Sequence, residues 1–126
     1  MSALQQTALE MHDQMLRMAL FVVLTTPIAS ESDLAKMLPE HLSYMLELEK
    51  SGVLFGSGPF VGGSDVPAGS GMTILRASSS AEAASIAERD PFNRRGLRRF
   101  EVREWQLNEG RFTVTVDYSD GRYTIA

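Results

Sequence analysis

The sequence predicts an α+β domain of the ferredoxin-like split βαβ kind, with its core elements in the order βαββαβ. Three observations predict it. Apolar residues recur at helical spacing in two stretches, near 32–51 and 80–89. Runs with strand character flank and separate them, at 18–25, 53–55, 72–77 and 98–107. The chain has 126 residues, 44% of them apolar, which fills one core and not two. In this arrangement both helices cover one face of the sheet. The other face has no cover of its own and is expected to be buried by a second subunit.

Residues 2–17 read as an N-terminal helical extension (residues 1–17), with Leu4, Ala8, Met11, Met15 and Met18 on one face. A helix this short is marginal alone, so it docks, pairs or frays. The main domain is assigned to residues 18–107. Met18 to Thr25, rich in Leu, Phe and Val, reads as a buried strand closed by Thr26-Pro27. Helical spacing follows from about Ser32 to Ser51, with Leu34, Leu38, His41, Met45 and Leu48 on a stripe expected to face the sheet. Pro39 either kinks this helix or sits in the first turn of a helix that begins there. Ser51-Gly52 supplies the stop.

Val53 to Phe55 opens a short strand. Residues 56–71 hold six glycines and two prolines and read as a long flexible loop. Met72 to Ala77 is the next strand. The serines at 78–80 offer an N-cap, with Ser79 and Glu82 spaced as a capping box, to a helix that runs to about Arg89 and ends at Asp90-Pro91. Arg98 to Leu107 is a strand in which Phe100 and Val102 alternate with polar residues and Trp105 falls out of phase. Residues 108–126 read as a C-terminal β-hairpin extension. Phe112, Val114 and Val116 alternate as in a half-buried strand, Asp120-Gly121 turns, and Arg122 to Ile125 returns.

The net charge is −4 and the pI about 5.1. A nucleic-acid binder would carry a basic face, and an RNA-binding domain on this scaffold would carry stacking aromatics in the RNP1 pattern; neither is present. The chain has no cysteine, which excludes disulfides, cysteine catalysis and thiolate metal sites. The longest apolar run, Met18 to Leu24, falls far short of the roughly 20 residues of a spanning helix. It also lacks a basic leader and a small-residue cleavage site. No membrane association and a cytoplasmic location are therefore expected.

His41 is the first candidate for chemistry. It lies on an otherwise apolar stripe, either as a core histidine bonded to a backbone group or as a general acid or base, since imidazole titrates near pH 6.5. Asp90 is the second. Alone it reads as a turn aspartate. With both helices on one sheet face, its carboxylate can reach the region of His41, fix one imidazole nitrogen and leave the other for a substrate. The glycine-rich loop leads into a strand rather than a helix N-terminus and lacks the GKS/T ending, so a pocket rim suits it better than a phosphate cradle. The run Arg94-Arg95-Gly96-Leu97-Arg98-Arg99 is a solvated face unless one arginine turns inward to hold a carboxylate or phenolate. His12 reads as an exposed helix residue, and two histidines without suitably spaced carboxylates make no metal site.

Pro39-Glu40-His41-Leu42, then Gly58-Pro59, then Ala83 to Asp90-Pro91-Phe92, then Glu101 to Trp105 resemble, in that order, the YciI-like proteins over roughly residues 18–107. The resemblance implies a dimeric α/β barrel made of two ferredoxin-like sheets packed face to face. It implies a histidine–aspartate active-site pair matching His41 and Asp90, with Ser57 lining the same pocket. The substrate site is expected at Ser57, Gly58, Pro59 and Phe92, with Arg94 or Arg95 holding an anionic or phenolic small molecule. One activity in the family removes chloride from a chlorinated hydroxyhydroquinone during aromatic degradation, and related barrels include a muconolactone isomerase. No cofactor is required for such a step. This sequence departs from the family at Leu38, where a basic residue is frequent, and in its terminal helix and hairpin. The expected function is a lyase or isomerase acting on an aromatic-degradation intermediate. The alternative is a non-catalytic module that binds a small ligand in the same pocket, which would show no turnover.

Overall fold

A computed structural model describes residues 1–126. In chain order its elements are α1 (Ala3–Asp13), β1 (Met18–Pro27), α2 (Glu31–Lys50), β2 (Leu54–Pro59), β3 (Gly71–Leu75), α3 (Ser80–Glu88), α4 (Pro91–Arg94), β4 (Arg98–Leu107), β5 (Val114–Val116) and β6 (Tyr123–Ile125). They divide into two compact units, one of residues Ala19–Gln106 and one of the two terminal stretches, Met1–Met18 with Leu107–Ala126.

The larger unit is an α+β fold of the predicted ferredoxin-like kind. Its four-stranded sheet has the order β2-β3-β1-β4, with β1–β3 and β3–β2 antiparallel. Strand period 2 sends Phe21, Val23 and Leu75 to one face, where they pack with Ala83, Ile86 and Ala87 of α3. Leu48 of α2 and Phe100 and Val102 of β4 close this cluster. Full burial of each large apolar side chain contributes roughly 1.5–3 kcal/mol. On the opposite face Leu20 is fully buried, whereas Val22, Leu24, Met72 and Ile74 are only half-buried.

The helices begin where small polar side chains accept orphan amides. Ser30 accepts from the amide of Asp33 and starts α2, so the helix begins one residue before the Ser32 expected from spacing. It then runs without interruption through Pro39, so it does not begin afresh there. The proline removes one amide from the ladder and the helix continues around it. Ser79 accepts from Glu82, but the Glu82 carboxylate turns to the Ser78 hydroxyl, so only half of the capping box forms. Asp90 and Pro91 end α3 as expected and also begin α4, a one-turn helix that the spacing did not reveal.

The glycine-rich segment is more ordered than its composition predicts. Residues 56–59 belong to β2 and Gly71 to β3, which leaves 60–70 as the connection. Glycine is required at 71, because a Cβ there would lie 2.9 Å from the Gly58 carbonyl oxygen. A bulge at Phe55 matters more. Leu54 pairs with Leu75 and Gly56 with Ile74, so one residue of β2 is extra. Each one-residue slip exchanges the two faces of a strand. Beyond the bulge Ser57, paired with Thr73, therefore shares the helix-covered face with Leu54.

In the terminal unit, α1 has a complete capping box between Ser2 and Gln5. The amide of Leu16 donates to the Asn108 carbonyl and ties the two chain ends together. No residue of α1 is buried. The hairpin pairs Val114 with Ile125 and Val116 with Tyr123, and all four side chains are exposed. This corrects the expectation of a half-buried strand. A two-stranded ribbon has no layer of its own to pack against, so alternation alone does not bury it. No helix is long and apolar enough to cross a membrane.

Candidate active site

His41 and Asp90, 49 positions apart in the chain, meet beside an open cleft. The histidine comes from the middle of α2, two residues after Pro39. The aspartate stands at the turn between α3 and α4, where Pro91 occupies the first helical position and favours the local backbone. His41 Nδ1 lies 2.8 and 2.9 Å from the two carboxylate oxygens of Asp90. An ionised carboxylate only accepts, so Nδ1 carries the hydrogen and donates. Nε2 makes no hydrogen bond within the protein.

Asp90 is itself fixed. Its Oδ1 accepts the Phe92 amide at 3.0 Å, which makes it the N-cap of α4. The carboxylate and the imidazole are mostly enclosed, with side-chain exposures of 13% and 20%, so the pair is shielded from bulk water without being sealed. The His41 ring also rests on the ring of Phe92, with centroids 4.3 Å apart. Phe92 is almost fully buried. One short segment, Asp90-Pro91-Phe92, thus holds the imidazole by a hydrogen bond and by a ring contact.

The cleft has a volume of about 420 Å³, within the range of a small-molecule site. Leu38, Leu42 and Leu46, one turn apart along α2, form one wall and are half exposed. Gly58 and Pro59 of β2 and Gly71 of β3 also line the cleft. The helix stripe therefore divides: Leu48 packs on the core and Met45 is buried at the edge of the cleft, whereas Leu38, expected to face the sheet, lines the cleft half exposed. Ser57 and Thr73 hydrogen bond to each other at 2.7 Å across the β2–β3 pair and present their hydroxyls on the cleft floor. A separate cavity of about 20 Å³ behind Asp90, lined by Tyr44 and Asn93, has room for about one water.

Of the residues singled out from sequence, His41, Asp90, Ser57, Gly58, Pro59 and Phe92 line this one cleft. Arg94 and Arg95 do not. Both are exposed at the end of α4 and do not line this cleft. The arginine of that run that turns inward is Arg98, at the start of β4. Period 2 carried the signal: Arg98 shares strand parity with Phe100 and Val102, both packed on the core. Thr73 was missed likewise, although it shares strand parity with the buried Leu75; the bulge in the neighbouring strand sets the facing of its partner Ser57. No group of three or more His, Cys, Asp and Glu side chains is arranged to hold a metal ion.

Comparison with known proteins agrees with this architecture. Residues 19–106 match the family model described as the YCII-related domain. No curated protein matches the chain. Among solved structures, the chain is similar to 5-chloro-2-hydroxyhydroquinone dehydrochlorinase from Burkholderia phenoliruptrix AC1100, in its complex with 2,5-dihydroxybenzoquinone. The TM-score is 0.56 and the identity 24%, over 68% of this chain and 92% of that one. At that identity the likeness concerns the fold.

Proposed function

Starting from a chain that belongs to the YCII-related domain family, we propose that it is a lyase or isomerase that moves a proton on a small aromatic-derived substrate, with His41 as acid–base and Asp90 as the residue that orients and charge-balances it. The observation that carries this reading is the 2.8 Å contact between Nδ1 of His41 and Asp90 beside an open cleft that His41 lines; it supports Nε2 as the nitrogen that meets a ligand. A solved neighbour is a dehydrochlorinase complexed with a quinone, which supports a flat oxygenated ring as the substrate class.

For a chlorinated hydroxyhydroquinone the step balances without an external oxidant. Nε2 takes the proton of one ring hydroxyl and delivers it to the chlorine-bearing carbon. The second hydroxyl then gives up its proton, its electrons form the second carbonyl, and the C–Cl bond breaks with its electron pair leaving as chloride. The net products are a quinone and HCl. Ser57 and Thr73 are positioned to hydrogen bond a ring oxygen.

The assay is chloride release from 5-chloro-2-hydroxyhydroquinone. General acid–base help is worth about 10²–10⁴-fold, so His41→Ala is expected to lower turnover by at least about 100-fold while retaining the fold. Undiminished turnover in that variant would reject the role. Ligand binding by the wild type with no turnover on any substrate of this class would favour a binding module instead.

We propose also that a second copy covers the half-buried face of Val22, Leu24, Met72 and Ile74, giving a homodimer of face-to-face sheets. Apolar side chains contiguous on an otherwise regular sheet support it.

A further inference from the structure

Arg98 is a cation without a counter-ion in a place where charges are normally paired. It is half-buried at the cleft end of β4. Its guanidinium lies over the ring of Phe92, with Cζ 4.5 Å from the centroid, on the same ring that supports His41. One terminal nitrogen donates to the Thr25 hydroxyl at 3.3 Å. Nε is buried with no partner at all. Arg98 takes part in no ion pair. The neighbouring carboxylate, Asp90, bonds the His41 ring and the Phe92 amide and makes no ion pair with Arg98. The other acid on the cleft, Glu49, is exposed and sits beside Lys50. Burial pulls the guanidinium below the ordinary arginine value, with the charge of Asp90 opposing. Arginine keeps its charge throughout the ordinary pH range, so Asp90, the Thr25 hydroxyl and the Phe92 ring offset its desolvation only in part and Nε stays unpaired.

We infer that Arg98 selects an anionic substrate: its free guanidinium edge binds a carboxylate or enolate oxygen of a planar ring and seats that ring against the leucine wall of α2, within reach of His41 Nε2. The inference deepens the proposed function by naming the charge of the substrate and the group that reads it, and it rests on that reading for the role of His41. The geometry fits. Phe92 fixes both the imidazole and the guanidinium, so a ligand gripped by one is held in a set position relative to the other. An arginine fork recognises two oxygens of one planar group, and a lysine would not.

The test is calorimetric titration of the full chain with two probes. One is 2,5-dihydroxybenzoquinone, whose hydroxyls are vinylogous acids and are ionised at neutral pH. The other is its neutral dimethyl ether. The wild type is expected to bind the anion at least about tenfold more tightly than the ether, the scale of one charge-assisted hydrogen bond. Arg98→Met is expected to lose that preference, and Arg98→Lys to recover only part of it. His41→Ala is expected to keep the preference while losing turnover. Equal affinity of the wild type for the two probes, or no binding of the anion, would overturn the inference without recourse to any variant. So would an Arg98→Met protein that retains the preference. Selective anion binding with no turnover on chlorinated hydroquinones would leave Arg98 in place and remove the proposed reaction.

Discussion

At the scale of single residues the site is a set of groups each doing two jobs, and substitutions can separate the jobs. Asp90 caps α4 and orients His41. Asparagine caps a helix about as well as aspartate but cannot offer the imidazole two accepting oxygens. Asp90→Asn is therefore expected to unfold in urea within about 0.5 kcal/mol of the wild type while turnover falls about 10²–10⁴-fold. Asp90→Ala should lose the cap as well, at about 1 kcal/mol. Tyr44 is a structural counterpart. Its hydroxyl donates to the Ile86 carbonyl at 2.7 Å and joins α2 to α3. Tyr44→Phe is expected to cost about 1 kcal/mol at neutral pH, measured by urea denaturation. Burial is the main cause that holds this phenol above its ordinary value, with Arg89 pulling it back. A raised acid contributes its stability below the unfolded value, near 10, and loses it as pH rises through the folded one. Alkaline titration should thus destabilise the wild type more than the phenylalanine variant. His41 and Asp90 were legible as individual candidates because few residue types handle protons. Arg98 was read only as a member of a run, although the strand assigned to 98–107 already gave it the parity of Phe100 and Val102.

At the scale of elements, backbone devices aim the side chains. Gly71 allows β2 and β3 to approach, and Gly71→Ala would push a Cβ to 2.9 Å from the backbone oxygen of Gly58. Backbone cannot move aside as a flexible side chain would, so a loss of about 1–3 kcal/mol is expected, with the site hydroxyls of Ser57 and Thr73 drawn apart. Pro39 is the opposite case. It sits exposed within a continuous helix and withholds one amide hydrogen. Pro39→Ala is expected to raise stability by about 1–3 kcal/mol in a denaturant melt, since an interior proline costs about that much. The order of the main elements was readable from hydrophobic patterning together with cap and turn residues such as Ser79 and Ser51-Gly52. The bulge at Phe55 was not, because a bulge is a mismatch between two strands and appears only once their register exists. The same holds for α4, too short for a period to show.

For the whole molecule, the sheet has one face packed and one only half covered. Composition and element order led to that asymmetry before any coordinates, since two helices suffice for a single face. The account predicts a dimer by analytical ultracentrifugation at micromolar concentration. Ile74→Glu, which places a charge on the half-buried face, should shift it toward monomer. The exposed hairpin face of Val114, Val116, Tyr123 and Ile125 was not foreseen as bare, because alternation records which residues share a side and not whether anything covers it.

The central claim is that Asp90 holds the His41 ring with its hydrogen on Nδ1 and leaves Nε2 open for proton transfer. Nitrogen-15 NMR of the histidine side chains, at a pH where the ring is neutral, reads this directly. The account predicts the Nδ1–H tautomer at His41 in the wild type and its loss in Asp90→Asn. A wild-type ring with its hydrogen on Nε2, or a tautomer indifferent to the substitution, would contradict it.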